Sequence, residues 1–255
     1  DNAWVSDNAQ VYGNAKVSDD AMVSGNARVS GNARVTNNSQ IDGDALVTGN
    51  AMVFGHVEIT GNAKVDGNAR VAGKARVSGD ARVTGNTWVY GDALVTGNAL
   101  VFGRAEVTGN AQVTDHARVS SNAKVSNNAK VAGNARVSGN VRVADKACVD
   151  GDAQVAGNVR VYGNAQVSGN AEVSDDAWVY DNAKVSGDAQ VCGDTEVYGN
   201  AKVYDYAKIS GKAKVYGNAW VASNTHVSGH THVPGTANEL SDGLNDLSSQ
   251  DDIQL

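Results

Sequence analysis

From Val5 onward every sixth residue of this chain is aliphatic. Stepping by six reaches Val233 after 39 hexads, with Ile only at 41, 59 and 209 and no insertion or deletion. Two residues before each aliphatic position stands a small residue, usually Ala, as at Ala3, Ala9 and Ala15. The departures, Ser39, Val57, Thr87, Val141, Val159, Thr195, Thr225 and Thr231, are small or β-branched. The residue between the two is most often Lys, Arg, Gln or Glu, and the aliphatic position is followed two residues later by Gly or another turn former, then by Asn or Asp. Alternation with period two puts Ala and Val on one face of a strand and the polar residue on the other. Val suits an extended backbone, and Gly-Asn accepts the positive φ of a tight corner. The hexad therefore predicts a short strand and a tight corner. A helix is excluded, because six residues turn a helix by about 600° and the Val row would wind around it. Glycine at this frequency would also be prohibitive there.

A strand this short cannot bury its apolar face alone. Coils stacked on one another solve the problem, each pairing its backbone with the next, so one continuous array is expected. If a coil takes three hexads, corner residues 18 apart, such as Asn8, Asn26 and Asp44, form columns of side-chain amides. The repeat stops at the single proline, Pro234. In the segment 235–255, Thr236-x-x-Glu239 reads as a capping box, and Leu240, Leu244 and Leu247 share a helical face. A short helix over about 237–248, within an acidic cap or tail, is expected to cover the last open strands.

The string V-S-G-N-A-R resembles the hexapeptide signature of the left-handed parallel β-helix superfamily: aliphatic, any, two turn residues, small, any. The resemblance covers residues 1–234 and implies three hexads per triangular coil of 18 residues, about 13 coils, and a left-handed path. The expected fold class is thus all-β, a single left-handed parallel β-helix. Many members of that superfamily are acyl-CoA-dependent acyltransferases with a loop projecting from the coil, a His as general base and acyl-donor clefts between trimer subunits. This chain lacks the projecting loop, and His56, His116 and His230 fall on three different corners of an 18-residue coil, so no catalytic residue is carried over. In texture the chain is most similar to the near-uniform GNA-x-V repeat proteins of prophage and enterobacterial type that are named as transferases.

The net charge of −7 is concentrated at the end of the chain: Glu239, Asp242, Asp246, Asp251 and Asp252 lie beyond the last Lys or Arg. The repeat itself is nearly balanced, which argues against a nucleic-acid partner. No stretch approaches the roughly 20 apolar residues of a membrane helix. The chain opens at Asp1 already in repeat phase, so residues upstream of it are expected. The two cysteines, Cys148 and Cys192, fall on different faces and do not suggest a disulfide. No cofactor is expected. The cluster His226, His230 and His232 is a weak candidate for a transition metal, but these side chains would leave two adjacent faces and the corner between them.

The informative departure is aromatic. Nine aromatic residues occupy the position just after the aliphatic one, and six of them, Phe54, Tyr90, Tyr162, Tyr180, Tyr198 and Tyr216, are at multiples of 18. Trp88 and Trp178 lie two residues before Tyr90 and Tyr180 and so on the same face. The run Tyr162-Tyr180-Tyr198-Tyr216 predicts a ladder of four rings flanked by Arg160, Trp178, Glu196 and Lys214. Such a strip suits partner contact, and it also suits cross-strand stabilisation. The leading expectation is a non-catalytic structural or binding solenoid, a rod, spacer or display surface, with self-association end to end or face to face, or with a protein or glycan on the aromatic face. The alternatives are an acyltransferase-like enzyme and an ice-binding solenoid.

Overall fold

The computed structural model describes residues 2–235, 239–240 and 246–247. The chain forms two compact units, Asp1–Asn127 and Asn128–Leu255. In the first unit each hexad supplies one short strand: Trp4–Val5, Gln10–Val11, Lys16–Val17, then Met22–Val23 and so on. The fourth strand lies parallel to the first, with Trp4 opposite Met22 and Val5 opposite Val23. The 18-residue register recurs at Gln10 with Arg28 and at Lys16 with Arg34, so a coil has three strands and the unit has three parallel sheets. The second unit repeats the arrangement, from Lys130 opposite Cys148, Arg136 opposite Gln154 and Arg142 opposite Arg160 to Lys214 opposite His232. The architecture is an all-β parallel solenoid with three strands per 18-residue coil, the coil that the resemblance to the hexapeptide superfamily implies.

The core of each unit is a column of Ala and Val. Val23, Val29 and Val35 in the first unit and Val179, Val185 and Val191 in the second are fully buried. Each burial contributes about 1.5–3 kcal/mol, most of it offset by the entropy of ordering the chain. Thr87 and Thr195 replace Ala in this column at 0% exposure, and neither hydroxyl has a hydrogen-bond partner. Val57, Val141 and Val159 occupy the equivalent small-residue position, fully buried. Thr87→Val and Thr195→Val are therefore each expected to stabilise the protein by about 1 kcal/mol, by removing a buried hydroxyl that has lost water and gained nothing. A midpoint of chemical denaturation that does not rise would contradict this.

The corners require left-handed backbone. Gly139 has φ 84°, and a Cβ built on it would meet the Gly157 carbonyl oxygen at 2.6 Å. Elsewhere Asp, Asn and Ser take the same turn, as at Asn37 (φ 61°) and Asp181 (φ 60°). Outside the turn, the expected amide columns form. Asn8 Nδ2 donates to Asn26 Oδ1 (3.3 Å), and Asn26 donates to Asp44 (3.0 Å). A longer column runs Asn14, Asn32, Asn50, Asn68, Asn86, with steps of 3.2, 3.0, 3.0 and 2.9 Å. The second unit has its own, Asn164 to Asn182 to Asn200 to Asn218.

The C-terminal expectation needs correction where it can be followed. Glu239–Leu240 is a strand paired with Trp220–Val221, and Asp246–Leu247 is a strand paired with His226–Val227. Neither dipeptide belongs to a helix, because the preceding coil offers each a ladder of unmet backbone donors and acceptors. The rest of the expected 237–248 helix lies outside the described residues.

Candidate functional site

The candidate aromatic residues, Phe54, Trp88 and Tyr90 in the first unit and Tyr162, Trp178, Tyr180, Tyr198 and Tyr216 in the second, lie on or just after strands of the third sheet, and the two units use them differently. In the second unit, strands Trp178–Val179, Glu196–Val197 and Lys214–Gly217 lie side by side. The side chains just after their Val residues are Tyr180, Tyr198 and Tyr216. Tyr180 and Tyr198 stack at 4.9 Å between centroids with planes 3° apart, and Tyr198 and Tyr216 stack at 5.2 Å and 7°. The ladder therefore has three rings. Tyr162, expected as the fourth, is not in stacking contact with Tyr180; the further ring against Tyr180 is Trp178 from its own strand, edge-on at 6.4 Å and 76°.

A charged row runs beside the stack. The Lys214 ammonium donates to Glu196 Oε1 at 2.9 Å, and the Tyr180 hydroxyl donates to Glu196 Oε2 at 2.8 Å. The Lys214 bond, with the Tyr180 bond behind it, holds the Glu196 carboxyl below the usual range. Burial, then the bond to Glu196, pushes the Tyr180 hydroxyl above the usual tyrosine range. The Arg160 guanidinium lies over the Trp178 ring at 4.3 Å. Linkage gives each shift a sign. The Glu196 contribution is present above the unfolded carboxyl pKa and is lost as pH falls through its lowered folded value. The Tyr180 contribution is present below the unfolded tyrosine pKa and is lost as pH rises toward its raised folded value. Glu196→Gln is expected to flatten the acid limb of a stability-versus-pH curve, and Tyr180→Phe the alkaline limb, each measured by denaturant midpoint. An unchanged limb in either variant would refute that assignment.

In the first unit the third-sheet strands Met52–Gly55, Arg70–Gly73 and Trp88–Gly91 are neighbours. Phe54 is opposite Ala72, and Tyr90 is on the next strand beyond Ala72. Phe54, Trp88 and Tyr90 remain 43%, 46% and 42% exposed. With Arg70, Ala72, Gly73 and Gly91 they line an open cleft of about 410 Å³. Trp88 meets Tyr90 edge-on at 6.5 Å and 73°, and the Arg70 guanidinium lies over Trp88 at 5.0 Å. Sequence reasoning found the three rings and missed Arg70 and Ala72. Reading every position 18 residues apart, and not the aromatic ones alone, exposes both: Arg70 precedes Trp88 by one coil, and Ala72 interrupts Phe54 and Tyr90.

The remaining candidates have local roles. His226 pairs with Lys208 on the second sheet and His232 with Lys214 on the third, so they leave different faces, and among the described residues no three His, Cys, Asp or Glu side chains are grouped to hold a metal. His56 and His116 are rungs of the corner columns, against Asn38 at 3.4 Å and Asn98 at 2.9 Å. Burial, with Asp150 beside it, pushes the Cys148 thiol up to about 11, and burial also raises Cys192. Both thiols are free and poor nucleophiles at neutral pH.

Four stretches of the chain, residues 9–25, 27–43, 75–91 and 165–180, match the family model of the YdcK beta solenoid repeat. The third and fourth matched stretches contain Trp88 with Tyr90 and Trp178 with Tyr180. No curated protein sequence matches the chain. Among solved structures it is similar to the UDP-N-acetylglucosamine O-acyltransferase LpxA of Moraxella catarrhalis, at 13% identity and TM-score 0.34, over 89% of this chain and 69% of that one. LpxA of Acinetobacter baumannii gives 13% and 0.34, over 71% and 66%. An Arabidopsis UDP-N-acetylglucosamine acyltransferase gives 12% and 0.33, over 72% and 66%. The chain thus spans about two thirds of these proteins' lengths.

Proposed function

We propose that this protein is a non-catalytic repeat scaffold that presents the Phe54–Trp88–Tyr90 cleft as a contact site. One contrast carries the reading. The tyrosines of the second unit stack face to face and have used their faces on one another, whereas the three rings of the first unit surround an open cleft. Exposed aromatic area grouped around a cleft is characteristic of binding surfaces. The stacked tyrosines, half-buried and tied to the Glu196–Lys214 pair, act as a brace for their sheet.

The cleft is tested with a dye whose fluorescence rises in apolar surroundings. The wild-type protein is expected to bind it, and the double variant Trp88→Ser/Tyr90→Ser to bind several-fold less while keeping the β-sheet circular dichroism and a cooperative unfolding transition. Equal dye binding by the two proteins would sink the reading. Acyl transfer is the rival, and it makes the opposite prediction in a second assay: steady release of coenzyme A from acetyl-CoA, in proportion to protein concentration and only when a hydroxyl or amine acceptor is present to take the acetyl group.

A further inference from the structure

Five side chains of the first unit's third sheet recur 90 residues later in the second. Arg70, Trp88, Tyr90, Glu106 and Lys124 have Arg160, Trp178, Tyr180, Glu196 and Lys214 as counterparts. The geometry recurs with them. The guanidinium lies over the indole at 5.0 Å in the first unit and 4.3 Å in the second. The indole meets the tyrosine edge-on at 6.5 Å and 73° in the first, and at 6.4 Å and 76° in the second. The lysine pairs with the glutamate at 3.0 and 2.9 Å. Two departures from this match bear on the cleft. Where the second unit has Tyr162 the first has Ala72, and where the second has Ala144 the first has Phe54.

A tyrosine is an alanine with a phenol on its β-carbon. The first unit thus keeps the Arg–Trp–Tyr frame and lacks one phenol beside it. The cleft stands at that place, lined by Ala72 and Gly73 together with Phe54, Trp88 and Tyr90. Phe54 and Tyr90 belong to the coils on either side of Ala72, so the gap spans two coils. A flat ring fills such an interval in the second unit: Tyr198 lies between Tyr180 and Tyr216, its centroid 4.9 and 5.2 Å from theirs. With no ring over Ala72, Phe54, Trp88 and Tyr90 stay exposed. Water over such an apolar floor is poorly held, and an apolar group that displaces it gains affinity. An aromatic group gains more, because ring pairs attract beyond the area they bury.

We infer that the cleft binds one planar aromatic ring of phenol size, seated over Ala72 between Phe54 and Tyr90. The ligand supplies from outside the group that Tyr162 carries in the second unit. This rests on the cleft being a contact site and adds the chemistry of what it contacts. The test is displacement of the apolar-sensitive dye from the full chain by p-cresol and by 4-methylcyclohexanol, which has the same skeleton with a puckered, saturated ring. p-Cresol is expected to displace half the dye at a concentration about three- to tenfold lower, the ratio that an aromatic pair contributes. Ala72→Tyr is expected to bind dye and p-cresol several-fold less while keeping its β-sheet circular dichroism. Should that variant not fold, the comparison of the two ligands on the wild-type protein decides alone. The peptide acetyl-Gly-Tyr-Gly-amide separates two sources of such a ring. Displacement at or below the p-cresol concentration assigns the ring to a polypeptide partner, and displacement only above it assigns the ring to a free phenol. Equal displacement by the saturated alcohol, or undiminished binding by folded Ala72→Tyr, would overturn the proposal. If the dye binds and p-cresol does not displace it, the contact reading stands and the aromatic ligand falls. If the dye does not bind, both fall.

Discussion

Tyr198→Ala is expected to destabilise the second unit by about 2–4 kcal/mol, more than any other single truncation in its aromatic row. Tyr198 is the middle ring, in face-to-face contact on both sides. Each aromatic pair is worth about 0.5–1.5 kcal/mol beyond the area it buries, and truncation also removes that area from the half-buried phenol. Tyr216→Ala ends one contact and should cost about half as much. Tyr162→Ala, outside the stack, should cost under about 1 kcal/mol, the ordinary value for a partly exposed surface change. Urea denaturation followed by tyrosine fluorescence ranks the three. Equal losses at 162 and 198 would show that the ladder contributes nothing beyond burial.

Gly139→Ala is the second large effect, expected at about 2–4 kcal/mol. Left-handed backbone costs an L residue roughly 1–2 kcal/mol. At Gly139, with φ 84°, the new methyl would also lie within 2.6 Å of the Gly157 carbonyl oxygen and 2.8 Å of its nitrogen. Both are backbone atoms of the next coil, so relief requires the coils to part. Gly61→Asn is the control. Gly61 has φ 68°, close to the 61° of Asn37, and its nearest approach is 3.1 Å. A loss below about 1 kcal/mol is expected there, as Asn tolerates this region. If the two substitutions cost the same, close approach between coils is not what reserves Gly139 for glycine.

The fold was legible because one physical demand recurs at every sixth residue. Val and Ala must face inward and the chain must turn, and no other secondary structure has that period. The amide columns needed the three-hexad coil as well, which the resemblance to the hexapeptide superfamily supplied. The C-terminal segment misled because Leu240 and Leu247 are seven residues apart. That is two helical turns, and it is also one six-residue side with a residue inserted, which the pairing of Leu240 with Val221 and Leu247 with Val227 uses. Tyr162 misled because coincidence of position guarantees adjacency of backbones and not contact of rings. The cleft was half legible. Its rings stand out in the sequence, while its floor is an alanine among many, informative only when its neighbours one coil away on either side are known to be Phe54 and Tyr90.

The corner columns have a direction. Asn26, Asn62, Asn134, Asn158 and Asn170 each donate to an Asp 18 residues ahead, at Asp44, Asp80, Asp152, Asp176 and Asp188. An ionised carboxylate accepts and cannot pass the bond on. Asn is thus a relay and Asp a full stop, and the spacing of acids along a corner punctuates the column into sentences with a fixed reading sense. Swapping Asn for Asp, an exchange of one atom group for another of nearly equal size, rewrites where each sentence ends without moving the backbone.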